Sequence, residues 1–70
     1  MVTQHLAASA GFELRFEPLH GTGHALSFPC DEQGHVDLNA LSDRARCRYL
    51  YARALVGRSF AWPEVLPHLH

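Results

Sequence analysis

Apolar and polar residues alternate strictly over residues 12–18: Phe12, Leu14 and Phe16 fall on one side, and Glu13, Arg15 and Glu17 on the other. A period of two sends successive side chains to opposite faces of an extended chain, so this stretch predicts a half-buried strand. His20-Gly21-Thr22-Gly23-His24 follows, with two glycines able to supply the positive φ of a tight hairpin. A second strand is expected over residues 25–30. Directly opposed residues share a face, which tests the register. A two-residue loop would set Phe16 against Ser27, whereas a three-residue loop over 21–23 sets Phe16 against Phe28 and Leu14 against Cys30. The three-residue loop is the better fit.

Asp31-Glu32-Gln33-Gly34 reads as a type I turn ending in a left-handed glycine. It opposes Cys30 to Val36 and Phe28 to Leu38, so Phe12, Leu14, Phe16, Leu26, Phe28, Cys30, Val36 and Leu38 share one face. Independent local choices then agree on a three-stranded antiparallel β-meander over residues 11–38. Pro29 falls on the central strand of that arrangement, where its missing N–H demands a bulge or an early end to pairing.

Asn39 is the expected N-cap of a helix over residues 39–57, with Gly57 as its terminator. At 100° per residue, Leu41, Ala45, Tyr49, Ala52, Leu55 and Val56 form one stripe to pack on the sheet. Cys47, Leu50, Tyr51 and Ala54 form a second apolar patch on the far side, more than a single sheet can cover. Residues 58–70 carry Phe60, Trp62, Val65, Leu66 and Leu69, but Pro63 and Pro67 forbid a long helix. They predict an extended arm that docks on its own subunit or on a neighbour. Residues 1–10 suggest only a tail or a short strand. The expected fold is therefore α+β, a meander packed against one helix, in a single small domain over residues 1–70.

Size sharpens the meaning of the surplus patch. A chain of 70 residues hides only about 60% of its unfolded surface on folding, so its core is marginal. Burying Cys47, Leu50 and Tyr51 against a second copy would remove roughly 150–300 Å² of apolar surface per subunit, about 4–8 kcal/mol before association costs. The expected function is a non-catalytic homo-oligomeric interaction or accessory module, a homodimer or larger. Its interface would be Cys47, Leu50, Tyr51, Ala54 and Trp62, with an unidentified protein as a further possible partner.

Charge offers the first alternative. Residues 39–58 hold Arg44, Arg46, Arg48, Arg53 and Arg58 against Asp43 alone, while residues 1–38 are acidic and the whole chain is −1. A basic helix invites a nucleic-acid reading. On the wheel, however, Arg44 and Arg48 flank one side of the core stripe and Arg46 and Arg53 the other, so they form no single groove-filling row. Their stems should cover the core rim and their heads meet Glu13, Glu17 or a partner's acids.

The second alternative is a metal- or pH-responsive protein. The predicted register faces His20 towards His24, but zinc wants three or four converging ligands and Cys30 lies too far along the strand. No Cys-x-x-Cys or His-Glu-x-x-His spacing occurs, and no cofactor is called for. Cys30 should face the core, its thiolate disfavoured by Asp31 and Glu32, whereas Cys47 lies between Arg46 and Arg48. A disulfide between them would have to link the sheet to the outer helix face. Gly21-x-Gly23 leads into a strand, so it is a turn and no phosphate cradle. Asp31-Glu32 sits in an exposed turn, unsuited to acid–base catalysis.

No apolar run approaches 18 residues, and the N-terminus lacks the basic and apolar parts of a signal peptide. Neither membrane partner nor lipidation is expected, and a cytoplasmic setting would keep both thiols reduced. Every basic residue apart from histidine is Arg, and Lys and Ile are absent, a bias typical of a high-GC bacterial genome.

Overall fold

The alternating stretch forms strand β1 (Phe12–Phe16), and Leu26–Cys30 forms its antiparallel neighbour β2. The structure, a computed structural model, describes residues 11–21 and 23–67. Helix α1 (Asp43–Ala54) follows, then β3 (Glu64–Pro67), which lies antiparallel on the other side of β1. Three antiparallel strands in the order β2-β1-β3 and one helix give the expected α+β fold. The third strand, however, comes from the arm and not from the segment around Val36 and Leu38. The expected boundaries for residues 1–10 lie outside the described residues.

Local hydrogen bonds explain why the second predicted hairpin stops. Its first rung forms, with the Asp31 N–H donating to the His35 carbonyl at 3.1 Å. The Asp31 carboxylate then accepts from the N–H groups of Gln33 and His35, at 2.9 and 2.8 Å. Six residues after Asp31, Asp37 accepts from the Asn39 N–H and starts a 3-10 turn over Leu38–Ala40, which bends the chain away from β2. Val36 still packs on the core without belonging to a strand. Gly34, at φ +89°, lets the loop pass under the sheet: a Cβ there would stand 3.1 Å from Val65 Cγ2.

The first hairpin also differs from expectation, by two residues. Phe16 opposes Leu26, Leu14 opposes Phe28 and Phe12 opposes Cys30. Beyond Phe16 the chain pairs with the arm instead of continuing along β2. Ala61 N–H donates to the Glu17 carbonyl and Leu19 N–H to the Ser59 carbonyl, both at 2.9 Å, and Pro18 faces Phe60. The tight turn over 21–23 is replaced by a wider loop. A shift of two preserves every side chain's face, so the predicted core residues of both strands stay inside.

Those same bonds set the phase of the sheet. Since Glu17 turns its carbonyl towards the arm, alternate residues of β1 address β3, and Phe12, Leu14 and Phe16 address β2. On β2, Ser27 and Pro29 therefore point their backbone groups to the open edge. Pro29 needs no bulge, because β2 is an edge strand and the missing N–H would have faced outward. By the same phase Pro67 lies on the open edge of β3.

Helix α1 starts three residues later than Asn39 would place it. The Asn39 N–H is engaged by Asp37 and Leu41 is extended (ψ 148°), so Ser42 becomes the N-cap, its Oγ accepting from Ala45 N–H at 3.1 Å. Gly57 does reverse the chain, at φ +89°, donating to the Phe60 carbonyl at 2.7 Å. The helix proper ends earlier, at Ala54.

Leu14, Phe16, Phe28, Cys30, Ala52 and Phe60 form the core, with Leu41, Tyr49, Leu55 and Val56 of the predicted stripe packed around it. Phe16 is wholly enclosed and meets Phe28, Tyr49 and Phe60 edge to face, at centroid distances of 5.9, 6.2 and 6.3 Å.

The Asp31 loop makes a pH prediction. Its carboxyl is held below the ordinary aspartate range, first by the His35 backbone N–H and also by the His35 ring and the Gln33 N–H. A lowered native pKa means that this contribution is complete above the unfolded value of about 3.9 and fades as pH falls through the native value. In an acid titration followed by NMR, the Gln33 and His35 amides should shift together, with a midpoint below that of a free aspartate peptide. A midpoint at or above the peptide's contradicts the role given to Asp31.

Candidate interaction surface

Among the described residues, none covers the outward face of α1. Cys47 and Ala54 are exposed, Leu50 keeps 51% of its surface and Tyr51 58%. The described part of the arm does not fold over them, because it is held elsewhere at two points. Phe60 closes the core, and residues 64–67 pair with β1. Between these two anchors Trp62 projects with 77% of its surface exposed. Tyr51 marks the inner border of the patch, its ring 6.2 Å from that of Phe60. The arm thus packs in cis at Phe60 and β3 while leaving its largest side chain outside.

The helix arginines divide into separate roles. Arg46 staples the 3-10 turn to the helix, donating to the carbonyls of Leu38 (3.2 Å) and Leu41 (3.4 Å) and to Asp43 (3.2 Å). Arg53 lies over the Tyr49 ring at 5.8 Å. The expected partners Glu13 and Glu17 are met by Arg15 on the outer sheet face, at 3.6 and 2.8 Å, and no ion pair links either to a helix arginine among the described residues. Arg44, Arg48 and Arg58 are exposed.

His20 and His24 are brought to one hollow of about 400 Å³, beside Tyr51, Ser59 and Phe60. The His20 Nε2 lies 3.2 Å from the Arg58 carbonyl. Among the described residues, no group of three or more His, Cys, Asp or Glu converges as a metal set would. The cysteines are separate: Cys30 is buried and Cys47 exposed, and both are free thiols. Burial pushes the Cys30 thiol up, reinforced by Asp31 and Glu13; the expected neighbour Glu32 is not among the causes. Gly21, at φ +67°, serves the loop.

A further groove, of about 330 Å³, runs between the open edge of β2 and the first two turns of α1. The predicted meander hid it by placing another strand against β2. Pro29 was the signal that could have found it, since proline belongs on an edge. No described helix is long and apolar enough to cross a membrane.

The fold and surface define a small α+β domain with a helix face left uncovered by the described residues. Compared with models of known families, with curated proteins and with solved structures, the chain matches none.

Proposed function

We propose that this chain is a non-catalytic interaction module of the bacterial cytoplasm that assembles with copies of itself through the outer face of α1. The observation that carries this reading is the exposure of Leu50, Tyr51 and Trp62 after the arm has docked in cis. A domain of this length with six buried core side chains among the described residues has little apolar burial of its own, and a second copy supplies more. A two-fold axis would place the same patch on both sides of the contact. The sheet edges are poorer candidates, because Pro29 and Pro67 interrupt them with missing donors.

The test is molar mass by light scattering after size exclusion, at about 0.1 and 0.5 M salt, which shortens the Debye length from about 10 Å to less than half that. The wild-type chain should be a dimer or larger at both. Leu50→Glu with Tyr51→Glu should give a folded monomer of reduced stability, since Leu50 lies outside the core and Tyr51 touches it at Phe60. A wild-type monomer, or a double variant with undiminished mass, overturns the reading.

A further inference from the structure

The groove beside β2 differs in chemistry from the helix patch. Leu26, Leu41 and Ala45, all half-buried, line it together with Arg44 and Arg48, which are exposed. Neither arginine makes an ion pair among the described residues, whereas Asp43, Glu17 and Asp31 are paired with Arg46, Arg15 and His35. Two cations one helical turn apart therefore face an apolar hollow without an acid. On the opposite wall, the phase of the sheet points the Ser27 N–H and carbonyl into solvent at the strand edge.

We propose that this groove binds a short extended peptide in which acidic residues alternate with a bulky apolar one. The peptide would pair with the edge at Ser27, using main-chain hydrogen bonds for affinity and alternate side chains for selectivity. The residue opposite Ser27 would point to the outer sheet face, as Ser27 does. Its two neighbours would turn towards α1, one entering the apolar hollow and one reaching the arginines. An acid two positions from an apolar residue is the pattern that satisfies both. Bidentate carboxylate contacts suit arginine in this role.

Pro29 decides against a second copy as the occupant. Any two-fold pairing of β2 with its own image across residues 25–29 meets Pro29 twice and loses two ladder hydrogen bonds. A short peptide centred at Ser27 meets it at most once.

The probe is fluorescein-Gly-Gly-Thr-Glu-Ser-Leu-Ser-Glu-Thr-amide, labelled at its N-terminal amine, which presents Glu two residues from Leu on either side, added to the full chain and followed by anisotropy and by amide NMR shifts. Binding should perturb Ser27, Arg44 and Arg48, and weaken about tenfold or more when both Glu are replaced by Gln. Arg44→Ala with Arg48→Ala should weaken it similarly, with circular dichroism unchanged. The Leu50→Glu, Tyr51→Glu chain should bind like wild type, which separates this site from the self-association surface. Equal affinity for the Gln peptide, no binding up to about 1 mM, or shifts confined to the Leu50 and Tyr51 face overturns the proposal. So does a single-stranded oligonucleotide that binds through Arg44 and Arg48 where the peptide does not.

Discussion

Phe16→Ala is expected to remove between about a third and nearly all of the chain's folding stability. Phe16 is the largest fully buried side chain among the described residues and touches three other rings, one each from β2, α1 and the arm. Truncating such a residue costs about 3–5 kcal/mol, part from lost transfer energy and part from the cavity left behind. Stability of about 0.05–0.15 kcal/mol per residue gives a chain of this length only about 4–10 kcal/mol in total. The substitution therefore removes a third of the reserve or more, and nearly all of it at the lower end. Urea unfolding followed by far-ultraviolet circular dichroism measures this directly. Phe16→Leu, which retains most of the volume, should keep a cooperative transition. A loss below about 1 kcal/mol for the alanine variant would show that the rings do not organise the core.

Phe60→Ala should come close in size, by a different route. Phe60 is 7% exposed, contacts Phe16 and Tyr51, and donates its own N–H to the Leu55 carbonyl. The backbone bonds of Ser59 to Leu19 and of Ala61 to Glu17, just beyond β1, flank it, so its side chain anchors the segment that leads into β3. Loss of the ring should cost about 3–5 kcal/mol and release β3 before the rest of the sheet. Hydrogen exchange at the Leu66 amide, which faces β1, should accelerate more than exchange at the Phe28 amide. Trp62→Ala, two residues away, removes a larger ring but should change monomer stability by no more than about 0.5 kcal/mol, because that ring lies in solvent. Similar losses for Phe60→Ala and Trp62→Ala would contradict the cis docking of the arm.

The contrast between these neighbouring aromatics shows where sequence reasoning reaches. Alternation identified β1 and the inward face of β2, and the 100° period separated Tyr49 and Ala52 from Leu50 and Tyr51. These are local regularities enforced by backbone geometry, and a two-residue register shift leaves them intact. Which strand pairs with which is a long-range competition. Val36 and Val65 both offered an apolar residue to the core face, and the outcome turned on Asp37 bending one segment away while Phe60 anchored the other. Neither effect appears in a periodicity. Asn39 and Ser42 competed as caps in the same way, and the nearby Asp37 carboxylate decided between them. The outer helix patch was legible because it follows from the wheel alone. The peptide groove was not, because an edge exists only once the strand order is known.

That order also bears on how the chain reaches its native state. β1 lies near the start of the described residues and takes β3 from near their end, with β2 and α1 intervening. The β1–β2 hairpin and α1 can form early from nearby contacts, but the central strand stays bare on one side until the distant segment returns. Contacts of such sequence separation slow folding, because loop-closure entropy is lost before they form. During synthesis the nascent chain would therefore pass through an interval with β1 half-paired and Phe16 uncapped by Phe60. A chaperone or a neighbouring nascent copy would find its substrate in that interval, and translation speed through residues 58–67 would set how long it lasts.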